Sequence, residues 1–141
     1  MTVHLSRRYT FCASHRLHSP ALSDAENREI YGKCNNPNGH GHNYELEVTL
    51  RGQVDAVTGR VVDLQTLDRL AEEQVLAPFR HRNLNEEIPA FRNEVPTTEN
   101  LATEVLLRLR NAWPLVFSPK GPSLEKVRIW ETERNICELG I

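Results

Sequence analysis

Polar and apolar residues alternate from Val3 to Phe11, with Val3, Leu5, Arg7, Tyr9 and Phe11 on one side and His4, Ser6, Arg8 and Thr10 on the other. A period of two is that of a strand with one covered face, so a first strand is predicted here whose end delivers Ser14 and His15. Asn43 to Gly52 alternates in the same way, setting Tyr44, Leu46, Val48 and Leu50 against Glu45, Glu47, Thr49 and Arg51, and predicts a second strand. After a turn at Asp55–Gly59 the spacing changes. Leu64, Leu67, Leu70, Ala71 and Val75 recur at helical intervals, with Asp63 placed to cap the helix and Pro78 to end it. A second helix is predicted from Leu101, Ala102, Val105, Leu106, Leu109, Ala112 and Trp113, capped by Thr97 or Thr98 and broken by Pro114. Strands over Leu124–Thr132 and Asn135–Leu139, turned by Glu133-Arg134, complete the chain.

The order strand, strand, helix, helix, strand, strand reads as an α+β fold: a four-stranded antiparallel sheet with two helices on one face. No repeat or break in composition divides the 141 residues, so residues 1–141 are expected to form a single domain. Such a sheet has two open edges, whose unpaired N–H and C=O groups favour edge-to-edge oligomerisation. Two irregular stretches interrupt the pattern. Pro20–Asn43 is rich in glycine and asparagine, although Ser23-Asp24-Ala25-Glu26 can cap a short helix, and Phe79–Pro96 carries Arg80-His81-Arg82-Asn83. Function concentrates in loops of this kind.

With 39% hydrophobic and 26% charged residues and a formal net charge of −2, nothing in the chain invites a polyanion, and nucleic acid is not expected as a partner. No apolar run approaches the ~20 residues that span a bilayer, and Met1–Thr10 lacks the apolar core of a secretory signal. A soluble, cytoplasmic protein without a membrane partner is expected. Three scattered cysteines make no disulfide framework and point to a reducing compartment. Cys12 and Cys137, on strands, are expected to be buried. Cys34 lies in a polar, asparagine-rich loop as a free thiol, and Lys33 beside it favours the thiolate.

His40-Gly41-His42 sends two imidazoles to the same face if the segment is extended. His15, at the end of the first strand, can join them, and three nitrogen ligands with an open fourth position is the pattern of catalytic zinc. Cys34 would then be a fourth ligand or a thiolate acting beside the ion. His81 is a candidate base, its ordinary pKa near 6.5 suiting proton transfer at neutral pH. Glu131 reads either as an exposed strand residue or as a buried anchor for a ligand presenting adjacent N–H donors.

Four strings, Phe11-Cys12-Ala13-Ser14-His15-Arg16-Leu17, Gly32 through Tyr44, Thr97-Thr98-Glu99-Asn100 and Glu131-Thr132, together resemble the 6-pyruvoyltetrahydropterin synthase family. The resemblance implies a tunnelling fold, in which trimers close their sheets into a barrel and two trimers stack as a homohexamer with active sites at subunit interfaces. It implies a zinc-dependent lyase of tetrahydrobiopterin-type pterin biosynthesis, converting 7,8-dihydroneopterin triphosphate to 6-pyruvoyltetrahydropterin and triphosphate by internal redox rearrangement. By motif position it assigns one Zn²⁺ per subunit to His15, His40 and His42, with Mg²⁺ accompanying the triphosphate. It makes Cys34 the proton-abstracting thiol, groups His81 with it, and makes Glu131 the pterin anchor, with Thr97, Thr98 and Glu99 in the substrate site. Arg16, Lys33 and Arg82 are the candidates to meet the triphosphate. A related activity, 6-carboxytetrahydropterin synthase of queuosine biosynthesis, typically goes with Cys-x3-His-Gly-His, whereas five residues separate Cys34 from His40 here. The chain also departs from the family where Leu-Asp-His is usual: it reads Phe79-Arg80-His81. An arginine meeting His81 would disfavour its imidazolium, which opens the reading of a pterin-binding homologue with impaired catalysis, unless Glu86 or Glu87 substitutes.

Overall fold

The two alternating segments pair with each other over their whole length. The computed structural model describes residues Met1–Ile141, in which β1 (Thr2–His15) and β2 (His40–Gln53) run antiparallel in unbroken register from Thr2↔Gln53 to His15↔His40. Both strands are longer than the hydropathy alternation predicts. Ala13 and His15 continue the inward row after Phe11, and His40 and His42 precede Tyr44 on the same face, but small and polar side chains do not score as an apolar period. β3 (Ser123–Trp130) pairs with β2, with a register shift between Thr49 and Leu50, and β4 (Ile136–Gly140) pairs with β3. The sheet order is β1-β2-β3-β4, all antiparallel.

The helices follow the predicted signals with three corrections. α1 (Asp24–Tyr31) begins at a reciprocal cap: Ser23 Oγ accepts the Glu26 N–H at 3.1 Å and the Glu26 carboxylate accepts the Ser23 N–H at 3.0 Å. α2 (Leu64–Ala71) does not stop at Pro78. It widens into a π turn over Glu72–Leu76 and passes directly into α3 (Ala77–Phe79), which contains Pro78. Asp63 does not cap α2 through the backbone; its carboxylate accepts the Thr66 hydroxyl at 2.7 Å. α4 (Leu84–Glu87) follows. α5 (Thr98–Val116) is capped by Thr97, whose Oγ1 accepts the Asn100 N–H at 3.2 Å. Pro114 falls inside its last turn, which the Phe117 N–H closes on the Trp113 carbonyl at 2.9 Å.

α5 lies across β3 and β4, and α2 packs beside it. Leu46, Val48, Leu50, Val127 and Ile129 from the sheet meet Leu67, Val75, Leu101, Val105 and Leu109 from the helices in one contiguous core. Burying each such side chain contributes about 1.5–3 kcal/mol. At the edge of the core Asp68 of α2 takes both Arg7 Nε and Nη2 (2.7 and 2.9 Å) and the Tyr9 hydroxyl (2.7 Å), which ties α2 to β1. The opposite face of the sheet is polar, with Arg8, Glu47, Arg128 and Glu138 in line across all four strands.

The edges differ from the expectation of two open ones. β4 is unpaired on its outer side, but the end of β1 is covered: the His81 N–H bonds the Cys12 carbonyl at 2.7 Å and the Ser14 N–H bonds the Arg82 carbonyl at 2.9 Å. The irregular stretch after α3 therefore lies along β1 beside the predicted site.

Candidate metal centre and active site

The ladder end sets the imidazoles. The His15↔His40 pair closes the β1–β2 ladder, and His42 lies two residues further along β2 on the same face. Gly39 makes the turn into β2 at φ +70°, and a Cβ there would come within 2.9 Å of the His15 carbonyl oxygen, so the turn is pressed against the first ligand's backbone. His15 Nε2 lies 3.3 Å from His40 Nε2, and His40 Nε2 lies 2.9 Å from His42 Nε2; the ligand atoms of the three residues all fall within 4.8 Å of one another. Tetrahedral zinc with bonds of ~2.0–2.1 Å spaces its nitrogens by about 3.3 Å, so the donors converge as such an ion requires.

The surroundings favour the neutral form of His15 and His42. His15 is fully buried, and its Nδ1 bonds the Pro96 carbonyl at 2.9 Å, with the Tyr44 hydroxyl 3.3 Å away. A proton on Nδ1 leaves the Nε2 lone pair free for a metal. Burial lowers the pKa of His15 and of His42, against the opposing pull of the Glu131 carboxylate. The neutral form is the metal-binding one. His40 Nδ1 is buried without a hydrogen-bond partner.

Glu131 is buried rather than exposed. It is 8% exposed and lies just past the end of β3, where its N–H bonds the Asn135 carbonyl at 3.0 Å. Oε2 accepts the Thr98 hydroxyl at 2.9 Å, and Asn135 Nδ2 donates to Oε1 at 3.2 Å and to Thr98 Oγ1 at 3.0 Å. The carboxylate lies 4.0 Å from His15 Nε2 and 3.9 Å from His42 Nε2. Of the three predicted residues at the start of α5, Thr98 reaches the site, Thr97 caps the helix, and the Glu99 side chain is exposed. Asn135 and Tyr44 belong to the site and were not predicted: the one reads as a strand start, the other as a core aromatic.

Cys34 sits in a single 3₁₀ turn, Gly32–Asn35, which Asn35 fastens to β1's extension by donating from Nδ2 to the Leu17 carbonyl at 2.8 Å. Burial pushes the Cys34 thiol up from its ordinary value and the Glu131 carboxylate pushes it the same way, so Lys33 does not create a resting thiolate as sequence adjacency suggests. His81 does not bond Cys34. Its Nδ1 lies 3.1 Å from Cys12 Sγ, in a cavity of about 410 Å³ that also takes in Ser14, Gly41, Asn43 and Arg82. Cys12 is thus half-buried and engaged, not part of the core, whereas Cys137 packs against it.

Arg80 does not meet His81 either: its guanidinium forms a bidentate pair with Glu72 of the π turn, both contacts at 2.8 Å. Glu87 is held by Arg82 and the Asn83 N–H, so it does not substitute for the missing carboxylate. A cleft larger than the one at His81, about 630 Å³, lies not over the imidazoles but beyond Gly39, and Arg16, His18 and Arg92 line it. The imidazole cluster identifies the chemistry better than the size of the cavity does.

The family model for 6-pyruvoyl tetrahydropterin synthase matches residues 4–140. The chain is 47% identical over 133 residues to a 6-pyruvoyl tetrahydrobiopterin synthase of Poecilia reticulata, covering 94% of this chain and 86% of that one. It is 46% identical over 132 residues to the 6-pyruvoyl tetrahydrobiopterin synthase of Homo sapiens, covering 94% and 87%. The structure of 6-pyruvoyl tetrahydropterin synthase from Caenorhabditis elegans superposes with a TM-score of 0.89 at 44% identity, covering 99% of this chain and 96% of that one. A match that starts in β1 and ends in β4 takes in nearly the whole sheet and the imidazole cluster, and this chain belongs to the 6-pyruvoyl tetrahydropterin synthase family.

Proposed function

We propose that the protein is a zinc-dependent lyase that converts 7,8-dihydroneopterin triphosphate to 6-pyruvoyltetrahydropterin and triphosphate. The observation that carries the reading is the convergence of three imidazoles beside a buried carboxylate, in a chain 46–47% identical to proteins named for that synthase. His15, His40 and His42 would hold the Zn²⁺. Bound there, the ion supplies a Lewis acid for hydroxyl oxygens of the substrate side chain and a positive charge that favours the thiolate of Cys34.

The chain's own groups do the rest. Glu131 spends one acceptor direction of each oxygen on Thr98 and Asn135, and a carboxylate has two per oxygen, so paired acceptor sites remain for the N–H edge of a pterin. That pairing fixes the ring, and with it the distance from the ring to the reacting side chain. Cys34 takes the proton from the side-chain carbon. Triphosphate leaves from the terminal carbon, which ends as a methyl group while the carbinol beside it becomes a ketone, and oxidation of the carbinol next to the ring passes two electrons to the ring, dihydro to tetrahydro, so no outside oxidant is consumed. Among the cationic candidates Arg16 fits the triphosphate best: it lines the large cleft with His18 and Arg92, while Arg82 is paired with Glu87. Mg²⁺ would accompany the phosphates there.

His81 would serve a neighbouring copy's Cys34, because in its own chain it lies against Cys12. A homohexamer built from edge-joined trimers, with β4 as one joining edge, provides that neighbour. No helix is long and apolar enough to cross a membrane, and three free cysteines fit the reducing cytoplasm.

The test is incubation of the zinc-loaded protein with 7,8-dihydroneopterin triphosphate. Release of triphosphate with formation of the pyruvoyl product supports the reading. A carboxy product with acetaldehyde would make it a 6-carboxytetrahydropterin synthase, and tight binding with no product would make it a pterin binder.

A further inference from the structure

The geometry points to Cys12 as the positioning residue for His81, the thiol that fixes the ring and its tautomer so that Nε2 is presented for proton transfer. The inference rests on the proposed reaction and adds to it a residue outside the metal site. Cys12 and His81 are joined twice. The His81 N–H donates to the Cys12 carbonyl at 2.7 Å, and His81 Nδ1 meets Cys12 Sγ at 3.1 Å. His81 is also the one non-glycine residue with a positive φ, +61°, a conformation that is strained for an L-residue. It persists because the flanking backbone is locked on both sides: the Arg80 N–H bonds the Leu76 carbonyl at 2.8 Å, and the Arg82 carbonyl accepts from Ser14 at 2.9 Å.

The charged side chains flanking His81 in sequence are committed elsewhere. Arg80 is paired with Glu72, and Arg82 with Glu87. Cys12 Sγ is therefore the ring's sole side-chain partner, while the ring itself is exposed beside a cavity large enough for a reacting group. A thiol can donate to Nδ1 or accept from it. Accepting from Nδ1–H, it favours the tautomer whose Nε2 is free and keeps that bond when Nε2 takes up a proton, as a carboxylate acceptor would.

The test uses the zinc-loaded oligomer with 7,8-dihydroneopterin triphosphate and the variants Cys12→Ala and Cys12→Ser. Cys12→Ala is expected to lower kcat by on the order of tenfold, in the range found when a group orienting a functional histidine is removed, with KM within twofold. Cys12→Ser, whose hydroxyl also donates and accepts, should recover most of the loss. ¹⁵N NMR of the His81 ring provides a readout independent of turnover: Cys12→Ala should change the Nδ1–H to Nε2–H ratio several-fold and Cys12→Ser should restore it. An unchanged kcat in Cys12→Ala, or an unmoved His81 tautomer ratio, overturns the role of Cys12. If the wild type forms no product at all, the proposed reaction falls, and the tautomer ratio alone then decides whether Cys12 positions the ring.

Discussion

Replacing Gly39 with alanine separates two costs that the turn before His40 combines. Gly39 has φ +70° and a would-be Cβ 2.9 Å from the His15 carbonyl oxygen; Gly59 has φ +72° with nothing within 4 Å. Gly59→Ala therefore measures the conformational cost alone. A left-handed L-residue costs about 1–2 kcal/mol, and the stiffer unfolded chain returns ~0.4–1, so a net loss of about 1 kcal/mol is expected. Gly39→Ala adds a clash with backbone that cannot rotate away, about 1–3 kcal/mol by analogy with overpacking, for a total of about 2–4. At ~2.1 cal/mol/K per residue, the 141 residues give an unfolding entropy of about 0.3 kcal/mol/K. The expected drops in Tm are then about 3 °C for Gly59→Ala and roughly 7–13 °C for Gly39→Ala, read by calorimetry on metal-free protein. The backbone displaced is that of a ligand, so zinc affinity, followed with a competing chelator, should fall for Gly39→Ala and stay level for Gly59→Ala. Equal Tm drops together with equal zinc affinities would show that the contact at His15 does not set the ligand spacing.

Four other outcomes follow from the same geometry. His42→Ala should weaken zinc binding by on the order of 100-fold or more, checked by metal analysis after dialysis, with the fold retained because the side chain lies at the ladder end. Cys34→Ala should abolish product formation while zinc remains stoichiometric, which separates a proton-transfer role from a ligand role. Glu131→Gln removes the charge that faces two imidazoles and the paired acceptors, and pterin affinity measured by fluorescence should fall by about 10-fold or more. Asp68 is held below its ordinary carboxylate value, first by the hydrogen bond from Arg7 and then by that from Tyr9. The unfolded state binds the proton more readily, so this stabilisation is complete above about pH 4 and is lost as pH falls through the folded value. Asp68→Asn should cost about 1 kcal/mol at pH 7, a modest figure because the pair is two-fifths exposed, and should flatten the acid limb of the stability curve.

The strands and two main helices are legible because their periods of 2 and 3.6 are carried by large apolar residues such as Leu46, Val48, Leu101 and Val105. The ladder ends are not, since Ala13, His15, His40 and Gly41 give no hydropathy signal although their backbone pairs like the rest. His-x-His spacing plus a strand-end histidine was enough to anticipate the metal cluster. The fate of Arg80 was not: its pairing with Glu72 depends on a π turn, and no sequence period marks one inserted turn. Likewise Cys12 reads as a buried strand residue until the 81–83 segment is seen against β1. Cys34 illustrates a local rule overridden in space, because Glu131, remote in sequence, and burial outweigh the adjacent Lys33.

The β1–β2 ladder joins the two ends of everything between Arg16 and Gly39. Because His15 and His40 are paired by main chain, the intervening excursion can change in length or composition without moving either imidazole. Cys34 and the asparagines that carry it lie within that excursion. Drift there can exchange the side chains that the excursion brings to the site while the spacing of the imidazoles stays fixed, so a change of reaction on this scaffold need not disturb the three-histidine cluster.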